Sequence, residues 1–556
     1  MVNLFLTERE KQHVKDWTYN VVDNSISTKL LGPFWNKLVL LVPTTIAPNL
    51  LSLAGLVCIL HAFYIVVTLL DTPYRSFASG AAATLIFVYQ NLDAIDGKHA
   101  RITGNSSPLG ELFDHACDNV GVVFIILTIF QAVDVTNYDN LWFIVQGSQM
   151  MFLRGHLMAW RDEFRSVHFK LLSGPGEALL ITEFVLAIRA IFGLEWLTHV
   201  VSLIIGLFTD LTQVDESFVA ELLADWTPRL WYYGQVALLI LRIVMLPRQL
   251  EYRNPFTKEL TGDVLGTKAT RWGLLIILAY RISASILLWL PLGPFSGSLT
   301  MWDVISDGCV MAIVTSDMIL AKMALRNLHP WVPVMYMVSF LNRLLPAILV
   351  LFYFSAVFTE LCEYLNLPLL TVCCNVYCDG VYDMCHNGHK QLFQNAMKLG
   401  NRLYVGVIGD EDALKYKRPP IMTMEERCAE VLGCKGVDKV IRNAPCFGLT
   451  KEFIKEENIH VVAHGMEYLA KEEAKALSKK ASEQRALGNE MEAQKLDELA
   501  KVENERVQAL GPKALSSRGE KYYQVPFDMG ITESLPRTDG ISTSDLIRRC
   551  KALMES

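Results

Sequence analysis

The chain has 556 residues, 52% of them hydrophobic, and a mean hydropathy of +0.28. That is too long and too apolar for one soluble domain, and length sets a prior of about two to four. A formal charge of -7 is modest for this size and argues against a nucleic-acid partner and against an acidic tail.

The opening stretch, MVNLFLTEREKQHVKDWTYN, has no apolar core followed by a small-residue cleavage site, so it does not read as a signal peptide. Leu30 to Leu41, with Trp35 and Lys37 among leucines, fits a helix lying along a membrane surface or an ordinary packed helix. From about Asn49 to about Glu363 long apolar runs recur, as a bilayer demands. Expected spans are Leu50–Leu70, Phe77–Leu92, Ala116–Val133, Leu141–Trp160, Ala178–Phe192, Leu197–Phe208, Leu230–Met245, Trp272–Leu290, Met301–Ile319 and Trp331–Phe358. That makes about ten, of which Ala178–Phe192 and Leu197–Phe208 are short for a full span. Arg161, Arg165, Lys170, Arg248, Arg253, Lys258, Lys268 and Arg271 fall between spans, as cytoplasmic loops require under the positive-inside rule. The 12 cysteines lack secreted-type spacing and read as reduced thiols of a cytosol-facing protein.

A boundary falls near Leu365–Pro368, giving a membrane domain at 1–365 and a soluble domain at 366–556. In the second, Leu369–Tyr377, Leu403–Ile408, Lys439–Arg442 and His460–Ala463 read as strands, with a helix beginning near His386. Strand–helix alternation predicts a three-layer α/β fold with a parallel sheet. Residues 466–519 are rich in Ala, Glu, Lys and Gln with an irregular apolar period, and read as a solvated helical insertion.

Residues 91–120 read NLDAIDGKHARITGNSSPLGELFDHACDNV. Asp93 and Asp96 are three apart and Asp114 and Asp118 four apart, so each pair shares a helix face. Carboxylates at the ends of apolar spans are costly unless paired or metal-bound. Two such helices together offer hard oxygen ligands for Mg²⁺ or Mn²⁺, which bridge phosphate oxygens. Gly97, Ala100 and Gly110 leave room for a nucleotide or neighbouring helix. Arg101 offers a forked donor to a pyrophosphate. The bland alternative is a set of snorkelling or capping carboxylates.

The order Asp93-x2-Asp96-Gly97-x2-Ala100-Arg101-x8-Gly110-x3-Asp114-x3-Asp118 resembles the signature of the CDP-alcohol phosphotransferases. GKHAR and SSPLGELFDHACD look closest to the eukaryotic choline/ethanolamine phosphotransferases. The likeness extends to Pro48-Asn49 and to Gly174-Pro175-Gly176-Glu177. It implies transfer of a phospho-alcohol from CDP-choline or CDP-ethanolamine to diacylglycerol, releasing CMP. It also implies two ions held by Asp93, Asp96, Asp114 and Asp118, with His115 as base for the diacylglycerol hydroxyl. Glu177 then lies near the base or the headgroup, and Asn49, Gly97, Ala100, Arg101 and Gly110 line the nucleotide. A homodimer in the endoplasmic reticulum membrane is part of the same implication.

Downstream, YCDGVYDMCHNGH (Tyr377–His389) puts His386 and His389 at a helix start with Gly388 between them, where backbone N–H groups favour an anion. Arg537, Thr538, Gly540, Ser542 and Thr543 open another helix as a second phosphate cradle. His-x-Gly-His with Arg-Thr-x-Gly-Ile-Ser-Thr resembles the choline-phosphate and ethanolamine-phosphate cytidylyltransferases. The likeness runs through Lys417, Glu426-Arg427, Arg442-Asn443-Ala444-Pro445 and Val461-Val462-Ala463-His464. It implies a Rossmann-like nucleotidyltransferase using CTP with Mg²⁺ and phosphocholine or phosphoethanolamine. His386 and His389 then stabilise the attacked phosphorus, Lys417 binds phosphate, and Arg537, Ser542 and Thr543 hold CTP. Asp379 faces the ammonium, and Arg427 and His464 belong to the substrate site.

The chain departs from that family in three places. Choline-type members carry a Trp after the Ala-Pro, where this chain has Cys446-Phe447, so Phe447 and Tyr468 supply only part of an aromatic cage. Gly465-Met466-Glu467-Tyr468 replaces the acidic residues that follow the His, and the insertion has no counterpart. Joined, the two domains imply consecutive steps of one pathway with both sites facing the cytosol. The rival readings are a C-terminal domain that only binds nucleotide and regulates the membrane enzyme, and a transporter. A zinc site at Cys374, Cys378, Cys385, His386 and His389 is a third, disfavoured by its spacing.

Overall fold

In a computed structural model the described residues are 3–17, 21–23, 25–159, 167–169, 175–212, 226–253, 260–287, 299–416, 419–538 and 540–555. Arg161, Arg165, Lys170, Lys258 and Lys417 lie outside them, as do the last residues of the expected spans ending at Trp160 and Leu290. The chain forms two compact units, Met1–Val372 and Cys373–Ser556.

The first unit is helical. After α1 (Glu8–Lys15) and α2 (Ile26–Leu38) come α3 (Pro48–Leu69), α4 (Arg75–Ile102), α5 (Pro108–Ala132) and α6 (Tyr138–Ala159). Then follow α7 (Pro175–Thr212), α8 (Thr227–Val244), α9 (Lys268–Leu287), α10 (Met301–Met323), α11 (Trp331–Val338) and α12 (Leu345–Leu365). Pro48 and Pro108 sit in first turns, where a missing N–H costs nothing. Ser107 Oγ caps α5 by accepting from Gly110 N at 3.1 Å. Two short strand pairs, β1 (Val21–Asp23) with β2 (Val167–Phe169) and β3 (Gln249–Arg253) with β4 (Leu260–Gly266), join helices.

Among the described residues four helices, α3, α5, α10 and α12, are long and apolar enough to cross a membrane. The expected ten therefore stand at four by that measure. The others form as helices but carry charge: Arg229 and Arg242 in α8, Lys268, Arg271 and Arg281 in α9. Two pairs of buried charges form inside the bundle. Arg281 meets Asp307 of α10, whose Oδ2 also accepts from Trp142 Nε1 at 2.7 Å. Arg326 holds Asp317 at 2.6 Å, and Tyr353 OH donates to the same carboxylate at 3.0 Å. Such pairs let ionisable groups sit inside a bundle.

Two expected elements change. Ala178–Phe192 and Leu197–Phe208 lie in one element, α7, broken at Gly193 (φ 81°, ψ 171°). Trp331–Phe358 is not one span: α11 ends in a tight turn, Asn342 is extended (φ -154°, ψ 141°), and α12 restarts with Pro346 in its first turn. Proline lacks the N–H that a continuous helix needs there. In α2, Trp35 is buried and donates to Asn91 Oδ1 at 2.9 Å, while Leu30 is 69% exposed and the adjoining Leu41 is 78% exposed. The indole is a packing residue, and the exposed apolar side of this segment is made of leucines.

The second unit is a five-stranded parallel sheet in the order β7-β6-β5-β8-β9, with β5 (Asn375–Gly380), β6 (Arg402–Ile408), β7 (Lys439–Ala444), β8 (Val461–Gly465) and β9 (Thr532–Leu535). Its helices are α13 (Asn387–Ala396), α14 (Asp410–Tyr416), α15 (Met424–Leu432), α16 (Lys451–Glu456), α17 (Ala470–Ala486), α18 (Glu490–Leu510), α19 (Ser517–Asp528) and α20 (Thr543–Glu555). The chain order reverses between β5 and β8, and in doubly wound sheets ligands bind in the crevice beyond that switch point. The first strand starts at Asn375, not at Leu369. Leu367 and Leu369 pack on the helical core of the first unit, and Leu369 O accepts from Asn49 Nδ2 at 2.8 Å.

Residues 470–510 form a hairpin, α17 and α18. Its buried positions are the alanines Ala470, Ala474 and Ala481 on one helix and Ala493 and Ala500 on the other, small enough to let the helices close, together with Glu503, whose Oε1 accepts from Ser517 Oγ at 3.0 Å. At the base, Ala470 N donates to Ala514 O at 2.9 Å and Ser516 N to Tyr468 O at 2.8 Å.

Candidate functional site

In the first unit the site is built by α4 and α5. Asp93 and Asp96 lie near the end of α4, whose helix runs unbroken from the expected span to Ile102, and Asp114 and Asp118 lie in the second and third turns of α5. One ligand atom each from Asp93, Asp96 and Asp114 falls within 4.8 Å of the others, and the same holds for Asp114, His115 and Asp118. Asp114 belongs to both groups. Asp93 makes side-chain contact with Asp114 and Asp118, and Asp96 with Asp114. Carboxylates in contact repel unless a proton or a cation lies between them. Asp114 Oδ1 is buried and makes no hydrogen bond. Hard oxygens, mutual contact and a buried atom lacking a donor together fit a divalent cation.

Two hydroxyls hold this arrangement. Ser52 of α3 donates to Asp96 Oδ2, and Tyr89, one helical turn before Asp93, donates to Asp118 Oδ1 at 2.8 Å. The Tyr89 ring lies where a Cβ on Gly55 would meet it at 3.0 Å, so α3 and α4 pack closely here. The His115 ring meets the His156 ring of α6 edge-on, centroids 5.7 Å apart.

The remaining expected residues fall as follows. A Cβ on Gly110 would come within 3.2 Å of Asn49 Oδ1, so these two are neighbours across α3 and α5. Nearest to an added Cβ on Gly97 is Arg101 Nη1 at 3.7 Å, which leaves space there. Ala100 is half-buried, and Arg101 is exposed at the end of α4. Glu177 is found at the start of α2: its Oε1 accepts from Ile26 N at 2.7 Å and Ser27 N at 3.1 Å. Its Oε2 is buried with no hydrogen bond.

In the second unit, β5 delivers Asp379 to the carboxyl end of the sheet. The loop beyond it takes positive φ at Tyr382 (52°) and Met384 (61°) before His386. His386 stands at the N-cap of α13, and its ring stacks on that of His389 with centroids 3.8 Å apart. A Cβ on Gly388 would meet His386 Cε1 at 3.0 Å and Ile541 Cγ2 at 3.3 Å. Thr543 Oγ1 donates to Asp383 O at 3.3 Å. The two distant motifs therefore meet at one place. Burial first, and the Arg537 cation second, hold His386 below its ordinary value.

Ser542 Oγ accepts from Asp545 N at 3.2 Å and donates to Asp545 Oδ2 at 2.7 Å, capping α20. Arg537 is exposed, Thr538 half-buried, and Gly540 has φ 76°. Arg427 is fully buried: it donates to Val381 O at 2.6 Å, Met422 O at 3.2 Å and Asp410 Oδ1 at 2.6 Å. It braces the loop after β5. Asp379 Oδ1 accepts from Tyr523 OH at 2.8 Å, and burial pushes its carboxyl up to about 6 against that hydrogen bond. His464 stacks on Tyr523, centroids 5.1 Å apart at 24°, and burial lowers its titration.

Sequence reasoning missed Ser52, Tyr89, His156 and Tyr523. Tyr89 carried a signal, since it lies four residues before Asp93 on the same face; the others are brought in from other elements. Among the described residues, the groups able to hold a metal are the two around Asp114, and Cys374, Cys378, Cys385, His386 and His389 do not form one. Cys385 Sγ instead lies 3.5 Å from Cys434 Sγ.

Residues 45–208 match the family described as CDP-alcohol phosphatidyltransferase, and residues 377–549 match the family described as Cytidylyltransferase-like. Choline/ethanolaminephosphotransferase 2 of Arabidopsis thaliana is 35% identical over 188 residues, 33% of this chain and 47% of that protein. Choline/ethanolaminephosphotransferase 1 of Saccharomyces cerevisiae is 28% identical over 300 residues, 51% of this chain and 71% of that protein. Cholinephosphotransferase 1 of Gallus gallus is 36% identical over 157 residues, 27% of this chain and 46% of that protein. The chain spans about half the length of most of the curated relatives it matches. One polypeptide thus carries a segment that matches the CDP-alcohol phosphatidyltransferase family and a segment that matches the Cytidylyltransferase-like family.

Proposed function

We propose that these two segments run consecutive steps of phospholipid synthesis, the second unit making a CDP-alcohol and the first consuming it. In the second unit, Cys373–Ser556, a phosphate oxygen of phosphocholine or phosphoethanolamine attacks the α-phosphorus of CTP. The bond from that phosphorus to the bridging oxygen breaks, and pyrophosphate leaves. His386 and His389 donate hydrogen bonds to the charge that builds on the attacked phosphoryl group. Arg537 and the capped start of α20 hold the phosphates, Lys417 joins them, and Arg427 positions the loop. Asp379 and His464 sit at the ammonium end.

In the first unit, Met1–Val372, the hydroxyl oxygen of diacylglycerol attacks the phosphorus that carries the alcohol. The bond from that phosphorus to the bridging oxygen of the pyrophosphate breaks, CMP leaves, and the lipid is phosphatidylcholine or phosphatidylethanolamine. His115 takes the hydroxyl proton. Asp93, Asp96, Asp114 and Asp118 would hold two divalent cations, Mg²⁺ or Mn²⁺, which would supply positive charge to the pyrophosphate. Arg101 meets the same pyrophosphate. Asn49, Gly97, Ala100 and Gly110 shape the nucleotide wall, and Glu177 stands toward the headgroup through its unpaired oxygen. Both sites face the cytosol, where cytidine nucleotides are, at the endoplasmic reticulum.

The observation that carries this reading is the gathering of Asp93, Asp96 and Asp118 around Asp114, with His115 beside them. The test gives the purified protein CTP, diacylglycerol, Mg²⁺ and either phospho-alcohol, and follows CDP-alcohol and lipid separately. Asp118→Asn is expected to stop lipid formation and leave CDP-alcohol formation intact; His386→Ala is expected to stop both when CTP is the only nucleotide, and to make lipid again when a CDP-alcohol is added. Lipid made at the wild-type rate by Asp118→Asn sinks the reading of the first unit. No CDP-alcohol from either substrate sinks that of the second, which then remains a regulatory nucleotide-binding module.

A further inference from the structure

We infer that the second unit selects a phospho-alcohol ending in a primary ammonium over one ending in a trimethylammonium, because the aromatic rings around Asp379 are already engaged by the chain's own side chains. This rests on the reading of the unit as a nucleotidyltransferase. A quaternary ammonium has no N–H to donate and is held by aromatic faces around it. A primary ammonium has three N–H donors and needs acceptors, above all a carboxylate.

The rings at this end of the sheet include Tyr523, Tyr468, Tyr522 and Phe447, together with Tyr382, which is packed edge-on against His389 (centroids 5.2 Å apart at 89°) and against Phe393. Tyr523 donates its hydroxyl to Asp379 and is stacked against His464. Tyr468 sets its edge on Tyr523, with centroids 5.1 Å apart at 77°, and carries the Arg518 guanidinium over its ring at 5.0 Å. The Lys521 ammonium lies 5.7 Å from the Phe447 ring centre and 5.8 Å from that of Tyr522. Two resident cations thus occupy ring faces of the kind that a trimethylammonium would use. Cys446, buried and close enough to Asp379 to feel its charge, offers a thiol where a flat ring would close the box.

What remains for a ligand is the Asp379 carboxylate. One of its oxygens is held by Tyr523, whose own oxygen can still accept a hydrogen bond. This is a hydrogen-bonding site for N–H donors. Burial of Asp379 raises its titration to about 6. A site built to hydrogen-bond a donor discriminates strongly against an analogue that lacks it.

The test uses the full chain with CTP and Mg²⁺, measuring CDP-alcohol formed from phosphoethanolamine and from phosphocholine. The expected result is kcat/KM for phosphoethanolamine at least about tenfold higher. The double variant Arg518→Ala, Lys521→Ala frees the faces of Tyr468, Tyr522 and Phe447, and should narrow that ratio by raising phosphocholine use. A wild-type ratio of one or below overturns the inference, as does a ratio that the double variant leaves unmoved. If neither substrate is turned over, the reading of the unit as a transferase has failed, and calorimetric titration with the two phospho-alcohols still decides recognition. Tighter phosphoethanolamine supports the inference, and equal or tighter phosphocholine overturns it.

Discussion

Tyr89→Phe removes one oxygen and leaves the ring against Gly55. The lost hydroxyl donates to Asp118 Oδ1 at 2.8 Å from a residue only 7% exposed, so water has little room to replace it. A hydrogen bond to a charged group contributes about 1.5–3 kcal/mol, which is roughly a ten- to hundredfold change in an equilibrium constant. Partners that orient metal ligands cost about the same range when removed. The variant should therefore need about ten- to hundredfold more metal to half-saturate, with its fold intact. Mn²⁺ binding followed by electron paramagnetic resonance measures this without reference to turnover, and the Mg²⁺ dependence of lipid synthesis is the companion assay. Ser52→Ala, which removes the donor on Asp96, should act in the same direction. Unchanged Mn²⁺ affinity in both variants would refute the assignment of these carboxylates as ligands held by Ser52 and Tyr89.

Gly388→Ala drives a Cβ to 3.0 Å from His386 and 3.3 Å from Ile541. It should lower CDP-alcohol formation by about a hundredfold through displaced geometry while lipid synthesis from added CDP-alcohol continues, as paired product assays will show. Asp379 has an ordinary value of 3.8 and rises to about 6 when buried, so the folded state binds more protons than the unfolded one between those limits. Its contribution to stability is present at low pH and is lost as pH rises through about 6. Asp379→Asn should remove that loss, on the order of 3 kcal/mol across the window, read as the difference between the two proteins' thermal transitions at pH 4 and 7. Because Ala470 and Ala514 are already hydrogen-bonded, replacing residues 471–513 by a short glycine turn should leave CDP-alcohol formation within a few-fold of wild type. Loss of that activity with intact lipid synthesis would show that the hairpin is needed by the site.

What could be read from the chain alone follows from how locally each feature is encoded. The aspartates lie within one stretch and on two helix faces, so spacing alone assembles Asp93 with Asp96 and Asp114 with Asp118. His386, Gly388 and His389 are equally local, because one helix start places all three. The break at Asn342 was hidden, since apolar composition runs straight through it and only Pro346 marks the restart. The β9 strand, Thr532–Leu535, is short and polar at the sheet edge, so it lacks the apolar run that marked the inner strands.

The hardest features to foresee are those that complete the sites from afar. Tyr523 reaches Asp379 across 144 residues of sequence, and the hairpin between them erases any spacing rule. Ser52 reaches Asp96 from another helix. In both units the charged groups that would touch phosphate or metal are written locally, while the groups that tune them come from distant segments. Motif residues therefore report the class of reaction. The inferred discrimination between an ammonium with hydrogens and one without would rest on Arg518, Lys521 and Tyr523, which no motif contains. A change of headgroup preference should accordingly be reachable through those three positions with His386, His389 and Arg537 untouched.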